Sequence, residues 1–274
     1  MRHMEPINGH TLVTLLDDAG LIPETLDRRD LHARVAIQVA FQPIFDSAGE
    51  YVAAEALARI SVDGHQLPAR AVIRQCREMD LLPSFSSRVH QLAIATFAQY
   101  REAGSAPPLL CLNASHEELV LDSFPVNLLR MIDRASVPGS SIVLEVTEDS
   151  PRPQWTEVVT SLSALRVNGV TVALDDFGAG SSGLLALRHV QPHWVKLDKG
   201  FMPSLQPGDV MLRSIIDMSH RMGMKVVAEG VEQLGEAQVL LGLGCDMLQG
   251  HLLGRPGLLA DRTQSTVDCS RRGR

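Results

Sequence analysis

Cysteine, positive charge and long apolar runs are what this chain has little of. Its four cysteines, Cys76, Cys111, Cys245 and Cys269, stand far apart with no paired spacing. That argues against a zinc site or a disulfide framework and fits a reducing cytoplasm. No charge-free apolar run approaches the roughly 20 residues of a membrane span, and the opening Met1-Arg-His-Met-Glu-Pro6 lacks the apolar core of a signal peptide. The net charge of −7 argues against DNA or any broad nucleic-acid surface. It leaves room for a small phosphate ligand held by a few basic groups and a metal.

What is present is the composition of a globular protein, 45% hydrophobic and 21% charged, over 274 residues. That length suits a single α/β barrel. Residues 1–34 read as a short leader with one helix start at Thr11-Leu-Val-Thr-Leu-Leu16, residues 35–256 as the body, and residues 257–274 as a tail ending in the basic Ser270-Arg-Arg-Gly-Arg274. Strand-like runs cover 36–45, 52–60, 109–114, 142–147, 170–174, 194–197, 225–228 and 247–253. Helix-period runs cover 71–82, 85–102, 117–135, 155–167, 184–190, 209–222 and 233–243. Eight strands with seven intervening helices predict a TIM-like (β/α)8 barrel, with an open doubly wound sheet as the alternative. Only the short stretch Asp46-Ser-Ala-Gly-Glu50 joins the first two strands. A parallel crossover needs a dozen or more residues, so the first strand should be antiparallel.

Adjacent carboxylates, Asp175 and Asp176, end the run Thr171-Val-Ala-Leu174 and precede Phe177-Gly-Ala-Gly-Ser-Ser-Gly183. Two carboxylates side by side repel, and a divalent cation removes that cost. In a barrel the site gathers at the C-terminal ends of the strands. Those ends carry Gln42, Glu55 and Arg59, Asn113, Glu145 and Glu148, Asp175 and Asp176, Lys196 and Asp198, Glu229 and Glu232, and Gln249. Glu55, Asn113, Glu145, Asp175 and Asp176 offer only oxygen, which suits Mg²⁺ or Mn²⁺. Five such groups are more than one Mg²⁺ usually takes, so two ions bridged by Asp175 are expected, the usual device for cutting a phosphodiester. Lys196 and Arg59 add positive charge near a phosphate, and Glu229 is placed to accept a proton from an attacking water. The glycine loop also fits a dinucleotide fingerprint, with Asp198 about 20 residues on. Asp175 and Asp176 would repel a pyrophosphate there, and Pro192 stops the helix that should follow.

At this point the motifs resemble a known family. Glu55-Ala-Leu57 followed by Arg59 is similar to the signature of EAL-domain phosphodiesterases, which hydrolyse cyclic di-GMP. The resemblance continues through Phe41-Gln-Pro-Ile44, Leu112-Asn-Ala-Ser115, Leu144-Glu-Val-Thr-Glu148, Asp175-Asp-Phe-Gly178, Val195-Lys-Leu-Asp198, Ala228-Glu-Gly-Val-Glu232 and Gln249-Gly250, closing at Gly254-Arg-Pro256. It implies a TIM-like barrel and linearisation of cyclic di-GMP to pGpG with Mg²⁺ or Mn²⁺. Glu55, Asn113, Glu145, Asp175 and Asp176 would then be metal ligands, Lys196 would orient the water, and Glu229 would be the general base or a partner of the metal site. Gln42, Arg59, Asp198 and Gln249 would meet substrate, and Glu148 would steady the loop after Asp176. A homodimer is the common active form, and a regulatory protein partner is compatible with the absence of a cyclase signature. The chain departs from the family at Ala179, Ser181 and Gly183 in the loop after Asp176, at His251, and at Arg77 and Asp80 in the first helix. Those departures keep a second reading open, an EAL-like receptor or interaction module with little turnover.

Overall fold

The alternation of periodicities along the chain is realised as alternating strands and helices. A computed structural model describes residues 9–21, 35–147, 154–180 and 183–259. Helix α1 (Gly9–Asp18) is followed by strands β1 (Val35–Asp46), β2 (Tyr51–Val62) and β3 (His65–Leu67). Helices α2 (Ala69–Glu78) and α3 (Leu82–Glu102) lead into β4 (Leu109–Ala114), and α4 (His116–Leu119) and α5 (Ser123–Arg134) into β5 (Ile142–Thr147). The remainder runs α6 (Trp155–Val167), β6 (Thr171–Phe177), α7 (Gly183–Val190), β7 (Trp194–Leu197), α8 (Val210–Arg221), β8 (Lys225–Ala228), α9 (Leu234–Leu243) and β9 (Met247–Gln249).

The sheet runs β1-β9-β8-β7-β6-β5-β4-β2, and β1 also pairs with β2, which closes it into an eight-stranded barrel. β1 is antiparallel to both neighbours, pairing Gln42 with Glu55 on β2 and Ile44 with Gln249 on β9. The other barrel pairings are parallel. The reversed first strand expected from the short connection is therefore present, and the open sheet is not. β3 is a short extra strand on the edge of β2.

Apolar packing divides into three bodies. The largest fills the space between the barrel and its outer helices, with Phe97, Leu110, Leu144, Leu162, Val195 and Ile216 among its buried members. A second gathers Leu12, Leu15 and Leu16 of α1 with Ile60, Val62, Val72 and Phe85. The third is the inside of the barrel: Ile44, Ala53, Cys111, Val143, Ala173, Trp194, Val227 and Met247, one residue from each of the eight strands.

Several boundaries differ from the sequence reading. The run 117–135 is two helices, α4 and α5, because Pro125 near the start of α5 has no N–H to give and its ring would clash with the preceding turn. α2 stops at Glu78, and Asp80 behind it takes a left-handed φ of 57°. β9 stops at Gln249, where a Cβ on Gly250 would run into the backbone of Val231. β6 extends past its expected end at residue 174 to Phe177. Cys76, Cys111 and Cys245 are free and buried. Among the described residues no helix is long and apolar enough to cross a membrane.

Candidate active site

Side chains two positions apart on a strand share a face. One such step from each member of the apolar ring inside the barrel leads to Gln42, Glu55, Asn113, Glu145, Asp175, Lys196, Glu229 and Gln249. On β1 the step runs backwards, from Ile44 to Gln42, because that strand is reversed. A second inward ring therefore sits at the C-terminal end of the parallel strands, and every member of it is polar or ionisable. Eight residues that the sequence scatters over more than 200 positions stand at one level of one barrel.

Lys196 occupies the middle of this ring and is wholly buried. Its Nζ lies 2.5 Å from Glu229 Oε1, 2.8 Å from Asp175 Oδ1, 3.0 Å from Glu145 Oε1 and 3.5 Å from Glu55 Oε2. Glu55 is held by two amides: Asn113 Nδ2 donates to its Oε1 at 2.9 Å, and Gln249 Nε2 donates to its Oε2 at 2.7 Å. Gln249 Nε2 is also 3.4 Å from Gln42 Oε1, and Gln42 Nε2 donates to the Gly254 carbonyl at 3.3 Å. Gln249 thus braces Glu55 directly, and Gln42 does so through Gln249.

Asp176 reaches the site by a different device. Strict alternation would point it away from Asp175. The β6–β7 register slips between Leu174 and Phe177, and Asp176 takes a φ of 53°, the left-handed conformation that aspartate tolerates better than most residues. Asp175, Asp176 and Glu229 can each bring a carboxylate oxygen within 4.8 Å of the others. Behind the bulge Gly178 has a φ of 96°, and a Cβ there would overlap the Phe201 ring.

A pocket of about 460 Å³ opens over the ring. Glu55, Asp175, Asp176 and Glu229, with the Asn113 amide, form its mostly acidic floor, and Arg59, Arg70 and Arg77 stand in its wall with the apolar Ile73, Phe85 and Val89. Arg59 Nη1 donates to the Ala58 carbonyl at 3.0 Å. Asp198 is not part of this lining: its Oδ1 accepts from Gly200 N at 2.7 Å and caps a short 3-10 helix over Lys199–Ser204. Glu148 lies outside the described residues. Sequence reasoning missed Arg70 on α2 and the lining pair His90 and Glu118. For Glu118 the spelling Ser115-x-x-Glu118 was the available signal, and it is realised as a capping box.

Charge explains the behaviour of the ring. Four carboxylates surround one ammonium out of reach of water. Burial pushes Glu145 well above the usual carboxylate range, and burial lifts Glu229 to about 8 although Lys196 pulls it down. Asp176 rises to about 6, through burial and then through Asp175 beside it. Burial works against the charged form of Lys196, yet Asp175, Glu145, Glu229 and Glu55 outweigh it and hold the ammonium well above its ordinary value. Both Glu145 oxygens and Asp175 Oδ1 are buried without an aligned hydrogen bond. Buried anionic oxygens in an all-oxygen donor set, with more negative charge than the one lysine among them balances, fit hard divalent cations.

The family model of the EAL domain matches residues 27–256. The chain is 28% identical over 254 residues to the bifunctional diguanylate cyclase/cyclic di-GMP phosphodiesterase MucR of Pseudomonas aeruginosa, covering 91% of this chain and 36% of that protein. It is 31% identical over 246 residues to an uncharacterized protein of Azorhizobium caulinodans, covering 85% of this chain and 33% of the relative. The chain spans about a third of the length of these relatives. Among solved structures it is similar to the PaMucR phosphodiesterase in complex with c-di-GMP, at 27% identity and a TM-score of 0.75, over 89% of this chain and 97% of that one. It is also similar to the EAL domain of Mycobacterium smegmatis DcpA, at 31% identity and a TM-score of 0.70, over 85% and 100% of the two chains.

Proposed function

This chain belongs to the EAL domain family, and from that premise we propose that it is a metal-dependent phosphodiesterase that opens cyclic di-GMP to linear pGpG. The observation that carries the reading is the polar ring, in which one inward residue per strand places four carboxylates around Lys196 beside a pocket of about 460 Å³. Glu55, Asn113, Glu145, Asp175 and Asp176 would hold Mg²⁺ or Mn²⁺, with Glu229 close enough to Asp175 and Asp176 to join them. When bound, two such ions would supply the Lewis acidity that stabilises the attacking and leaving oxygens. Lys196 would orient the attacking water through its ammonium, and Glu229 would take that water's proton. Arg59 and Arg70 in the wall would meet the phosphates. Gln42 and Gln249 would act on substrate mainly by fixing Glu55.

The homodimer and the regulatory partner belong to the same reading. Exposed Leu184 and Leu185 on α7, with Val210 and Met211 on α8, are an apolar surface next to the loop after Asp176. Sedimentation of the purified chain distinguishes one copy from two. The second reading, a receptor with little turnover, is favoured by the altered loop at Ala179, Ser181 and Gly183. Incubation of purified protein with cyclic di-GMP and Mg²⁺ or Mn²⁺ decides: pGpG formed at many turnovers supports the enzyme. Tight binding without product overturns the enzyme in favour of the receptor.

A further inference from the structure

We propose that His90 and Glu118 are a buried positioning pair that fixes Asn113 and, through it, the Glu55 carboxylate. The inference rests on the proposed reading of Glu55 and Asn113 as metal ligands.

The sheet-facing side of α3 is largely apolar, with His90 as its one buried polar residue. Phe85, Val89, Ala93, Ile94 and Phe97 are buried there, and His90 is buried among them at 3% exposure. A leucine would be cheaper to bury, because an imidazole without partners costs about 1–3 kcal/mol. Its ring is held edge-on by Phe124, with centroids 6.2 Å apart. His90 Nε2 lies 2.7 Å from the main-chain oxygen of Asn113. A carbonyl can only accept, so Nε2 carries a proton. Nδ1 then faces Glu118 Oε1 at 4.0 Å.

Glu118 is buried as deeply, at 2% exposure. Its Oε2 accepts from Ser115 N and from Ser115 Oγ, both at 2.9 Å. The two buried polar side chains thus bracket the end of β4: His90 ties the main chain of Asn113 to α3, and Glu118 ties the turn two residues later. On its other side Asn113 donates to Glu55 Oε1. Removing His90 frees the main chain that aims the Asn113 amide, while pocket residues such as Arg59 and Arg70 stay where they are. A packing role alone would lower stability and leave metal binding untouched. A positioning role lowers metal affinity and barely moves the Michaelis constant.

The test compares the full chain with His90→Leu, His90→Gln and Glu118→Gln. Mn²⁺ binding is read without substrate by electron paramagnetic resonance of the free ion, alongside melting temperature, kcat and KM for cyclic di-GMP. His90→Leu is expected to fold and to weaken Mn²⁺ binding about 10- to 100-fold, with KM changed less than about threefold. His90→Gln, which can still donate to the Asn113 carbonyl, is expected to recover most of the loss, and Glu118→Gln to show a smaller one. Wild-type Mn²⁺ affinity in His90→Leu overturns the proposal, as does His90→Gln no better than His90→Leu. Should His90→Leu not fold, Glu118→Gln, which keeps the carboxylate's shape, carries the test, and unchanged Mn²⁺ binding in it overturns the pair. A wild-type chain that binds no Mn²⁺ overturns the function proposed above, and this inference with it.

Discussion

Two rings inside one barrel, a single pleat apart, have opposite chemistry. The lower ring holds Ile44, Ala53, Cys111, Val143, Ala173, Trp194, Val227 and Met247. The upper ring holds Gln42, Glu55, Asn113, Glu145, Asp175, Lys196, Glu229 and Gln249, from the same strands on the same face. Backbone geometry does not distinguish them, so only side-chain chemistry does. The lower ring is an apolar plug that holds the strands together. The upper ring places like charges where they repel, a cost that folding alone would not select. The difference separates residues that make the barrel from residues that the barrel exists to place.

The comparison breaks most sharply if the upper ring is dispensable. Glu55→Ala and Glu229→Ala are each expected to lower pGpG formation by about a thousandfold or more with the fold intact by circular dichroism. An active Glu229→Ala would remove that residue as the base. Lys196→Met should cost the metal-free protein about 3–5 kcal/mol, since it leaves buried carboxylates uncompensated, and saturating Mg²⁺ should return part of this. Denaturant titration with and without Mg²⁺ measures both values.

A subtler test uses pH. Glu229 sits at about 8 in the folded metal-free chain against an ordinary value of 4.5, and Asp176 at about 6 against 3.8. Both groups hold their proton more tightly folded than unfolded. The stability they contribute is therefore present below pH 4, is lost as pH rises, and is gone above about pH 8. The melting temperature without metal should fall across that window, and Mg²⁺ should flatten the slope. A flat profile without metal would show that the ring is not strained. The smallest effect belongs to the lower ring: Ile44→Val should cost about 0.5–1.5 kcal/mol and leave kcat within twofold.

The sequence showed the upper ring more clearly than its surroundings. Polar residues at the ends of otherwise apolar strands, such as Glu145 after Ile142-Val-Leu144, are visible because strand alternation is local and short. Arg70 and Arg77 were not legible as pocket residues, because which face of α2 turns to the pocket depends on how α2 packs against β2 and α3. His90 was hidden for the same reason, inside a helix whose apolar pattern it merely interrupts. Asp198, also at a strand end, has a local role that residue types do not announce: its side chain caps the turn that follows. The bulge at Asp176 could not be read from residue types, since the slip in register is made with the neighbouring strand β7.

The hydrogen bond from Gln249 to Glu55 joins residues 194 apart in the chain. Glu55 leaves the ribosome well before Gln249, and one of the two amides that hold it belongs to β9, the barrel strand made after all the others. A nascent chain carrying the other strands would hold Glu55 by the Asn113 amide alone and would have its barrel open between β8 and β1. A polypeptide cut short before β9 would therefore lack both the strand that closes the barrel and one of the two holds on Glu55, so the polar ring is completed only once β9 is in place.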